Sequence, residues 1–126
     1  MISTGVDIIE THRLQRAVER WGQRFLAHVF TPTEIAFCRG RVAELAVRFA
    51  GKEAISKALG TGLAGISWRE MEILPDGRGK PLVFLHGRAA QRAQEMGLVE
   101  FAISLSHSDD HAIAFVVAIG NSFPSK

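Results

Sequence analysis

The chain has 126 residues, a length that predicts one domain over residues 1–126 and excludes two. Its composition, 47% hydrophobic and 22% charged residues, is typical of a soluble globular protein, and no apolar run is long enough to cross a bilayer. A formal net charge of only +2 excludes a large global field that would attract nucleic acid or a membrane surface.

The first half of the chain predicts one strand and three helices. Residues 2–9 are apolar and β-branched, which indicates a strand, and Thr11 is the expected cap of the helix that follows. Thr31 precedes a proline and, three residues later, Glu34, a pattern that predicts another helix start. The three predicted helices, each with a glycine as its stop, cover about residues 11–21, 32–40 and 43–59.

The second half of the chain predicts mainly strands. A turn-forming stretch, Pro75-Asp76-Gly77-Arg78-Gly79-Lys80-Pro81, separates two of them, and residues 87–96 form a short helix. The last two strands are expected to pair as an antiparallel hairpin around a turn at residues 108–110. Helices early and strands late favour an α+β fold, with a mostly antiparallel sheet packed against the long helix. The predicted strands cover about residues 66–74, 82–85, 101–107 and 112–119.

Two charged residues interrupt the apolar side of the long predicted helix. At about 100° per residue, Glu53 and Lys57 fall in one sector with Ala46, Phe49 and Ala50. A Glu followed four residues later by Lys often forms only a surface ion pair. The other interpretation is a functional one, because charges in partly apolar surroundings are costly unless paired and are enriched at functional sites.

The remaining sides of this helix carry two basic residues and a surface of small residues. Arg48 and Lys52 lie together on a side away from Glu53. Small residues make up a further surface that is suited to close packing against another element. These small residues are Ala50, Gly51, Ala54 and Ala58.

Asp7 raises a similar question in the first strand, where it interrupts an otherwise apolar run. It is either a hydrogen-bond acceptor for a nearby turn or helix cap, or a hard oxygen ligand. Carboxylates from two elements, with one cysteine in the chain and few plausible histidine pairs, suit Mg²⁺ rather than Zn²⁺. Since magnesium leaves its other positions to water and substrate phosphates, an Asp7/Glu53 pair suggests phosphate chemistry if the fold brings the two together.

Four arginines recur every three or four residues, which predicts a basic stripe along one side of a helix. The stripe is either a solvated face or a docking surface for an acidic partner. A nucleic-acid-binding module would use the same stripe, but the aromatic interleaving of such modules is missing and the net charge is low. The stripe consists of Arg13, Arg16, Arg20 and Arg24.

The number of cysteines is relevant to the cellular compartment in which the protein works. The single cysteine, Cys38, excludes an internal disulfide and fits a reducing cytoplasm. The first ten residues lack the basic region and cleavage site of a signal peptide, so a cytoplasmic protein is expected. Nothing nearby would activate Cys38, which is expected to be a packed helix residue.

Several segments together resemble the holo-acyl-carrier-protein synthase family, the small trimeric 4′-phosphopantetheinyl transferases. Their order, separations and total length agree with that family, so the resemblance covers essentially the whole chain. The segments are Gly5-Val6-Asp7-Ile8-Ile9-Glu10 with Arg13, Arg48 to Ala58 (RFAGKEAISKA), Gly60-Thr61-Gly62, Gly79-Lys80-Pro81 and Ser104-Leu105-Ser106-His107-Ser108.

The resemblance implies a reaction. The phosphopantetheine arm of coenzyme A would move to a serine hydroxyl of an acyl carrier protein, releasing adenosine 3′,5′-bisphosphate, in fatty acid or polyketide synthesis. Asp7 and Glu53 would be the Mg²⁺ ligands, and Glu53, directly or through a metal-bound water, would accept the serine proton. Lys57 would stabilise the departing phosphate. A metal-dependent phosphate hydrolase, which would need no carrier, shares Asp7 and Glu53 and is the alternative.

The resemblance also implies a homotrimer with active sites between neighbouring subunits. Arg48 and His107 would be phosphate partners, and the turn at Gly79-Lys80-Pro81 would lie against the adenine. The basic stripe would dock the acidic carrier protein, and Arg13 is its only member within a family motif. The implied coenzyme A contacts are Arg48, Ser56, Gly60, Gly79, Lys80, Pro81, His107 and Ser108.

Overall fold

A computed structural model of the chain describes residues 1–121, so the last five residues of the predicted domain, 122–126, lie outside it. The α+β prediction is confirmed, with two antiparallel sheets beside a long helix. No helix within residues 1–121 has the length and apolar character that crossing a bilayer requires. In chain order the elements are β1 (Ile2–Glu10), α1 (Thr11–Trp21), α2 (Gln23–Val29), α3 (Pro32–Cys38), α4 (Val42–Ala58), a 3₁₀ turn (Trp68–Glu70), β2 (Met71–Pro75), β3 (Pro81–Leu85), α5 (Gly87–Glu95), β4 (Leu98–His107) and β5 (His111–Gly120).

The larger sheet has the strand order β1-β5-β4 and is antiparallel throughout, which confirms the predicted hairpin of the last two strands. α4 packs closely on one face of this sheet because its contact surface consists of small residues. A Cβ on Gly5 of β1 would overlap the carbonyl oxygen of Ala54, and a Cβ on Gly51 would lie 3.2 Å from Ile103 Cδ1 of β4. The small-residue surface predicted on the long helix is therefore confirmed.

The opposite face of the larger sheet carries exposed apolar pairs. Val6 lies opposite Phe115 and Ile8 opposite Ile113 on the neighbouring strands. These four side chains are between 40% and 60% exposed. Side chains alternate along a strand, so Asp7, between Val6 and Ile8, points to the α4 side.

The helix start at Thr31 is confirmed in detail. Thr31 Oγ1 accepts a hydrogen bond of 3.1 Å from the Glu34 N–H, and Glu34 Oε1 accepts one of 2.9 Å from the Thr31 N–H. This reciprocal pair is a capping box, which satisfies two backbone donors that a helix start leaves free. α4 ends as predicted, because Gly60 at φ 75° follows its last turn.

Three local predictions were wrong. Thr11 caps nothing: α1 begins at Thr11 itself, whose buried hydroxyl has no hydrogen-bond partner within residues 1–121. Residues 23–29, outside every predicted helix, form α2, because Gly22 at φ 55° turns the chain between two helices. The strand predicted from Ile66 begins only at Met71, since the 3₁₀ turn comes first.

Candidate active site

Asp7 of β1 contacts α4 and lines a cleft beside that helix. Lys57 Nζ donates hydrogen bonds to Asp7 Oδ1 at 3.0 Å and to the Val6 carbonyl oxygen at 2.8 Å. Asp7 and Glu53 line the same cleft of about 390 Å³, together with Arg13. The fold thus brings together the three residues that the sequence analysis expects to be catalytic.

The surroundings of Glu53 and Lys57 differ. Glu53 is half-buried, whereas half of the Lys57 side chain (50%) is exposed to solvent. The apolar surroundings predicted for both residues therefore hold only for Glu53. The fully buried charges of α4 are Arg48 and Lys52, on the other side of the helix.

The pKa of the Glu53 carboxyl is raised above its usual range. Partial burial is the main cause and the nearby Asp7 carboxylate the second, while the Lys57 ammonium acts in the opposite direction. A raised pKa makes Glu53 a better proton acceptor near neutral pH than an ordinary carboxylate.

The two carboxylates fit a magnesium ion. Their oxygens are the hard donors that Mg²⁺ takes, usually one or two to a site, and a cation would relieve the repulsion that raises the pKa of Glu53. Residues 1–121 contain no group of three or more His, Cys, Asp or Glu placed to hold a metal. Two carboxylate ligands would leave most positions of a magnesium ion to water and substrate.

A second cleft, of about 550 Å³, collects other predicted site residues. Arg48 lies in its wall and is held firmly: its Nε donates to the Ile73 carbonyl oxygen at 3.0 Å and its Nη1 pairs with Glu44 Oε1 at 2.7 Å. The Arg48 guanidinium also lies 4.5 Å from the centre of the Phe37 ring. The predicted coenzyme A contacts that line this cleft are Arg48, Gly79, Pro81 and His107.

The two clefts share no lining residue. Along α4, Arg48 and Lys57 are nine residues apart, so at about 100° per residue their side chains leave the helix on opposite sides. The predicted site residues that line a cleft therefore form two separate groups, one at Asp7 and one at Arg48.

Four predicted coenzyme A contacts line neither cleft. Ser56 is buried, and its hydroxyl donates to the Glu53 carbonyl oxygen at 2.7 Å. Lys80 is exposed at the hairpin tip, where its backbone N–H bonds Asp76 Oδ1 at 3.0 Å. Ser108 Oγ accepts a hydrogen bond of 3.2 Å from the His111 N–H, and Gly60 is exposed after α4.

The basic stripe is divided between two helices. Arg13, Arg16 and Arg20 are exposed on α1, and Arg13 lines the cleft of Asp7. Arg24 follows Gly22 and belongs to α2, so the prediction of one continuous stripe on one helix is wrong for Arg24.

The fold contains a buried ion pair that was not predicted from the sequence. Lys52 and Glu34 are both fully buried, and Lys52 Nζ lies 2.7 Å from Glu34 Oε1. Burial lowers the pKa of Lys52, while the Glu34 carboxylate opposes the shift. The sequence showed only that Lys52 lies on the same side of the helix as Arg48. The structure shows that both side chains are buried.

The sequence matches a family model described as "4'-phosphopantetheinyl transferase superfamily" over residues 3–116. Among curated relatives, the holo-[acyl-carrier-protein] synthase of Herpetosiphon aurantiacus is 53% identical, and the match covers 95% of this chain and 100% of the relative. The holo-[acyl-carrier-protein] synthase of Moorella thermoacetica is 50% identical, with 94% of this chain and 93% of the relative covered.

Solved structures of this family have the same fold. The holo-[acyl-carrier-protein] synthase of Helicobacter pylori in complex with coenzyme A superposes with a TM-score of 0.84 at 32% identity, covering 94% of this chain and 100% of that chain. The enzyme from Neisseria meningitidis superposes with a TM-score of 0.87 at 37% identity, covering 94% and 99%.

Proposed function

The chain belongs to the 4′-phosphopantetheinyl transferase superfamily and is an enzyme of its holo-[acyl-carrier-protein] synthase family, and we propose that it transfers the 4′-phosphopantetheine group of coenzyme A to a serine hydroxyl of an apo-acyl carrier protein. The serine oxygen forms a bond to the phosphorus that carries the pantetheine, and adenosine 3′,5′-bisphosphate leaves with the electrons of the broken bond. The observation that carries this proposal is that Asp7 and Glu53 line one cleft and that Lys57 is hydrogen-bonded to Asp7.

Asp7 and Glu53 would hold Mg²⁺ through their carboxylate oxygens. The ion, when bound, supplies positive charge against the negative charge of the pyrophosphate. Lys57 presents a second positive charge one helical turn from Glu53, on the same rigid helix. Its ammonium is exposed enough to meet a substrate phosphate, which suits the role of stabilising the departing bisphosphate.

Glu53 accepts the proton of the serine hydroxyl in this proposal. The position of its carboxylate supports the assignment, because Glu53 lines the cleft into which this proposal brings the acceptor serine. Cys38 is not a competing nucleophile: it is fully buried, and burial raises the pKa of its thiol to about 11.

The second cleft would bind the nucleotide end of coenzyme A. Arg48 and His107 supply polar groups for a phosphate, and Gly79 and Pro81 provide a wall with little side-chain bulk. Ser56, Gly60, Lys80 and Ser108 remain proposed contacts although they line neither cleft of the single chain.

A homotrimer would complete the site. The Asp7 group and the Arg48 group lie on opposite sides of α4, so a neighbouring chain is the natural source of the missing half. The exposed pairs Val6–Phe115 and Ile8–Ile113 offer an apolar surface for that contact.

The carrier would dock along the basic stripe, beginning at Arg13 beside the Asp7 cleft.

The proposal includes a cytoplasmic location and a role in fatty acid or polyketide synthesis. It is tested by incubating the protein with coenzyme A, Mg²⁺ and an apo-acyl carrier protein, and measuring released adenosine 3′,5′-bisphosphate. A carrier whose acceptor serine is replaced by alanine is the matched control. Release only with the intact carrier supports the transferase, whereas equal release with both carriers would show a phosphate hydrolase instead.

A further inference from the structure

Strand β2 pairs with β3 on one edge, and side chains of α3 and α4 bond to the backbone of its other edge. Lys52 Nζ donates to the Met71 carbonyl oxygen at 2.6 Å. The Ile73 N–H donates to Glu34 Oε2 at 2.8 Å, and Arg48 Nε donates to the Ile73 carbonyl oxygen at 3.0 Å. These side chains occupy the positions that a third strand would otherwise take.

All three donors of the Lys52 ammonium are used in hydrogen bonds. An ammonium has three donors, and those of Lys52 bond Glu34 Oε1 at 2.7 Å, the Met71 carbonyl oxygen at 2.6 Å and the Trp68 carbonyl oxygen at 3.1 Å. Glu34 is fixed in turn, because Oε1 also accepts from the Thr31 N–H at 2.9 Å. The pair therefore has one defined geometry, which a buried apolar pair of side chains would not impose.

The β2–β3 hairpin forms part of the lining of the second cleft. One wall of this cleft comes from α4 and includes Arg48, a second comes from the hairpin and includes Gly79 and Pro81, and α3 and β4 complete the lining. Lys52 lies one helical turn after Arg48, and both donate to backbone carbonyls of β2. The two walls are thus connected through β2 by buried hydrogen bonds.

We propose that Glu34 and Lys52 are a positioning pair that holds the β2–β3 hairpin against α4 at the separation which the nucleotide end of coenzyme A requires. They act through Gly79 and Pro81 and do not touch the substrate. The inference rests on the proposed function, since it assigns the second cleft to coenzyme A.

A role in stability alone does not account for the pair. A buried ion pair often adds no stability over a well-packed apolar pair, because removing both charges from water is costly. The hydrogen bonds to Met71 and Ile73 fix the backbone of β2 relative to α3 and α4. The geometry of the cleft is therefore the property that should change when the pair is replaced.

The test measures steady-state transfer to an apo-acyl carrier protein by the full-length protein and by three variants, Lys52→Met, Glu34→Gln and the double variant. We expect the KM for coenzyme A to rise about tenfold in each folded variant, because hydrogen bonds that fix β2 against α4 are lost or weakened. The KM for the carrier protein should stay within about twofold, because the Asp7 cleft and α1 are untouched.

Val29→Ala, at the buried last residue of α2, is the matched control. It should lower the melting temperature without changing either KM, since partial unfolding reduces only the amount of active enzyme. Glu34→Gln keeps the shape of its side chain and serves as the second variant should Lys52→Met fail to fold. A folded variant with an unchanged KM for coenzyme A, or with both KM values raised equally, would overturn the proposal. Absence of transfer by the unaltered protein would instead contradict the proposed function.

Discussion

Lys57 and Asp7, separated by 50 positions in the chain, form a hydrogen-bonded ion pair of 3.0 Å between α4 and β1. Lys57 also donates to the Val6 carbonyl oxygen, so its ammonium is held at the strand by two contacts. Glu53, one turn earlier, completes the group from the same helix. Strand and helix together thus place two carboxylates in a single cleft, with one cation paired to Asp7.

Replacement of Lys57 by Met should lower kcat for transfer by about 100-fold, because one charge that stabilises the leaving phosphate is lost. The free energy of unfolding should change by less than about 1 kcal/mol, since a half-exposed ion pair contributes little. Steady-state kinetics and thermal unfolding measure the two effects. Arg69→Gln, an exposed cation elsewhere, should leave kcat unchanged; a similar loss in both variants would contradict a specific role for Lys57.

Reversal of the Arg13 charge, by Arg13→Glu, should raise the KM for the carrier protein about tenfold and leave the KM for coenzyme A unchanged. Arg13 lines the Asp7 cleft, into which the proposed reaction would bring the acceptor serine. Arg24→Glu is the matched comparison, because Arg24 lies on α2 beyond Gly22, and its effect should be smaller. Equal effects of both variants on the carrier would show that only overall charge matters.

Local signals made part of this fold predictable. The capping box at Thr31 and the glycine stops depend on residues within one turn of each other, so the sequence shows them directly. α2 was missed because Gly22 ends one helix and the next begins at once, without a polar cap. Thr11 looked like a cap but is the first helical residue.

The candidate site was also predictable only in part from local sequence signals. Helical spacing placed Glu53 and Lys57 on one side of a helix, and the fold added Asp7. Spacing relates residues within a helix but does not show which element covers each side. The burial of Lys52 depends on Glu34 and on β2, which are distant in sequence, so the more deeply buried lysine was overlooked.

Glu72→Gln should destabilise the protein in a pH-dependent way. Burial raises the pKa of Glu72, but hydrogen bonds from Thr31 and His86 outweigh it and lower the pKa overall. An ionised carboxylate with a lowered pKa stabilises the fold above the unfolded value of about 4.3 and loses this effect as the pH falls through the folded value.

The expected loss for this variant is about 1–2 kcal/mol at neutral pH, shrinking towards zero in acid. Unfolding monitored by circular dichroism across a pH series measures it. His86→Ala removes one of the two side-chain donors and should reproduce part of the loss. A loss of the same size at every pH would contradict the account of Glu72.

Subunit complementation tests the trimer. Asp7→Asn and Arg48→Ala should each abolish most of the transfer activity, and mixed trimers of the two variants should regain a measurable part of it. Recovery is expected because one subunit contributes an intact Asp7 and its neighbour an intact Arg48. Phe115→Glu, on the exposed apolar face, should prevent both assembly and recovery. Mixed trimers that form yet remain inactive would show that each chain carries its own complete site.

The central claim is that Asp7 and Glu53 serve a phosphopantetheine transfer. Its most direct test is intact mass spectrometry of an apo-acyl carrier protein after incubation with coenzyme A and Mg²⁺, with the unaltered protein, Asp7→Asn or Glu53→Gln. Glu95→Gln, an exposed carboxylate on α5, is the matched control. We predict that the carrier gains the mass of one phosphopantetheine group with the unaltered protein and with Glu95→Gln, and gains nothing with the folded Asp7 and Glu53 variants or after removal of Mg²⁺ by chelation. An unmodified carrier with the unaltered protein, or full modification with both folded variants, would contradict the claim.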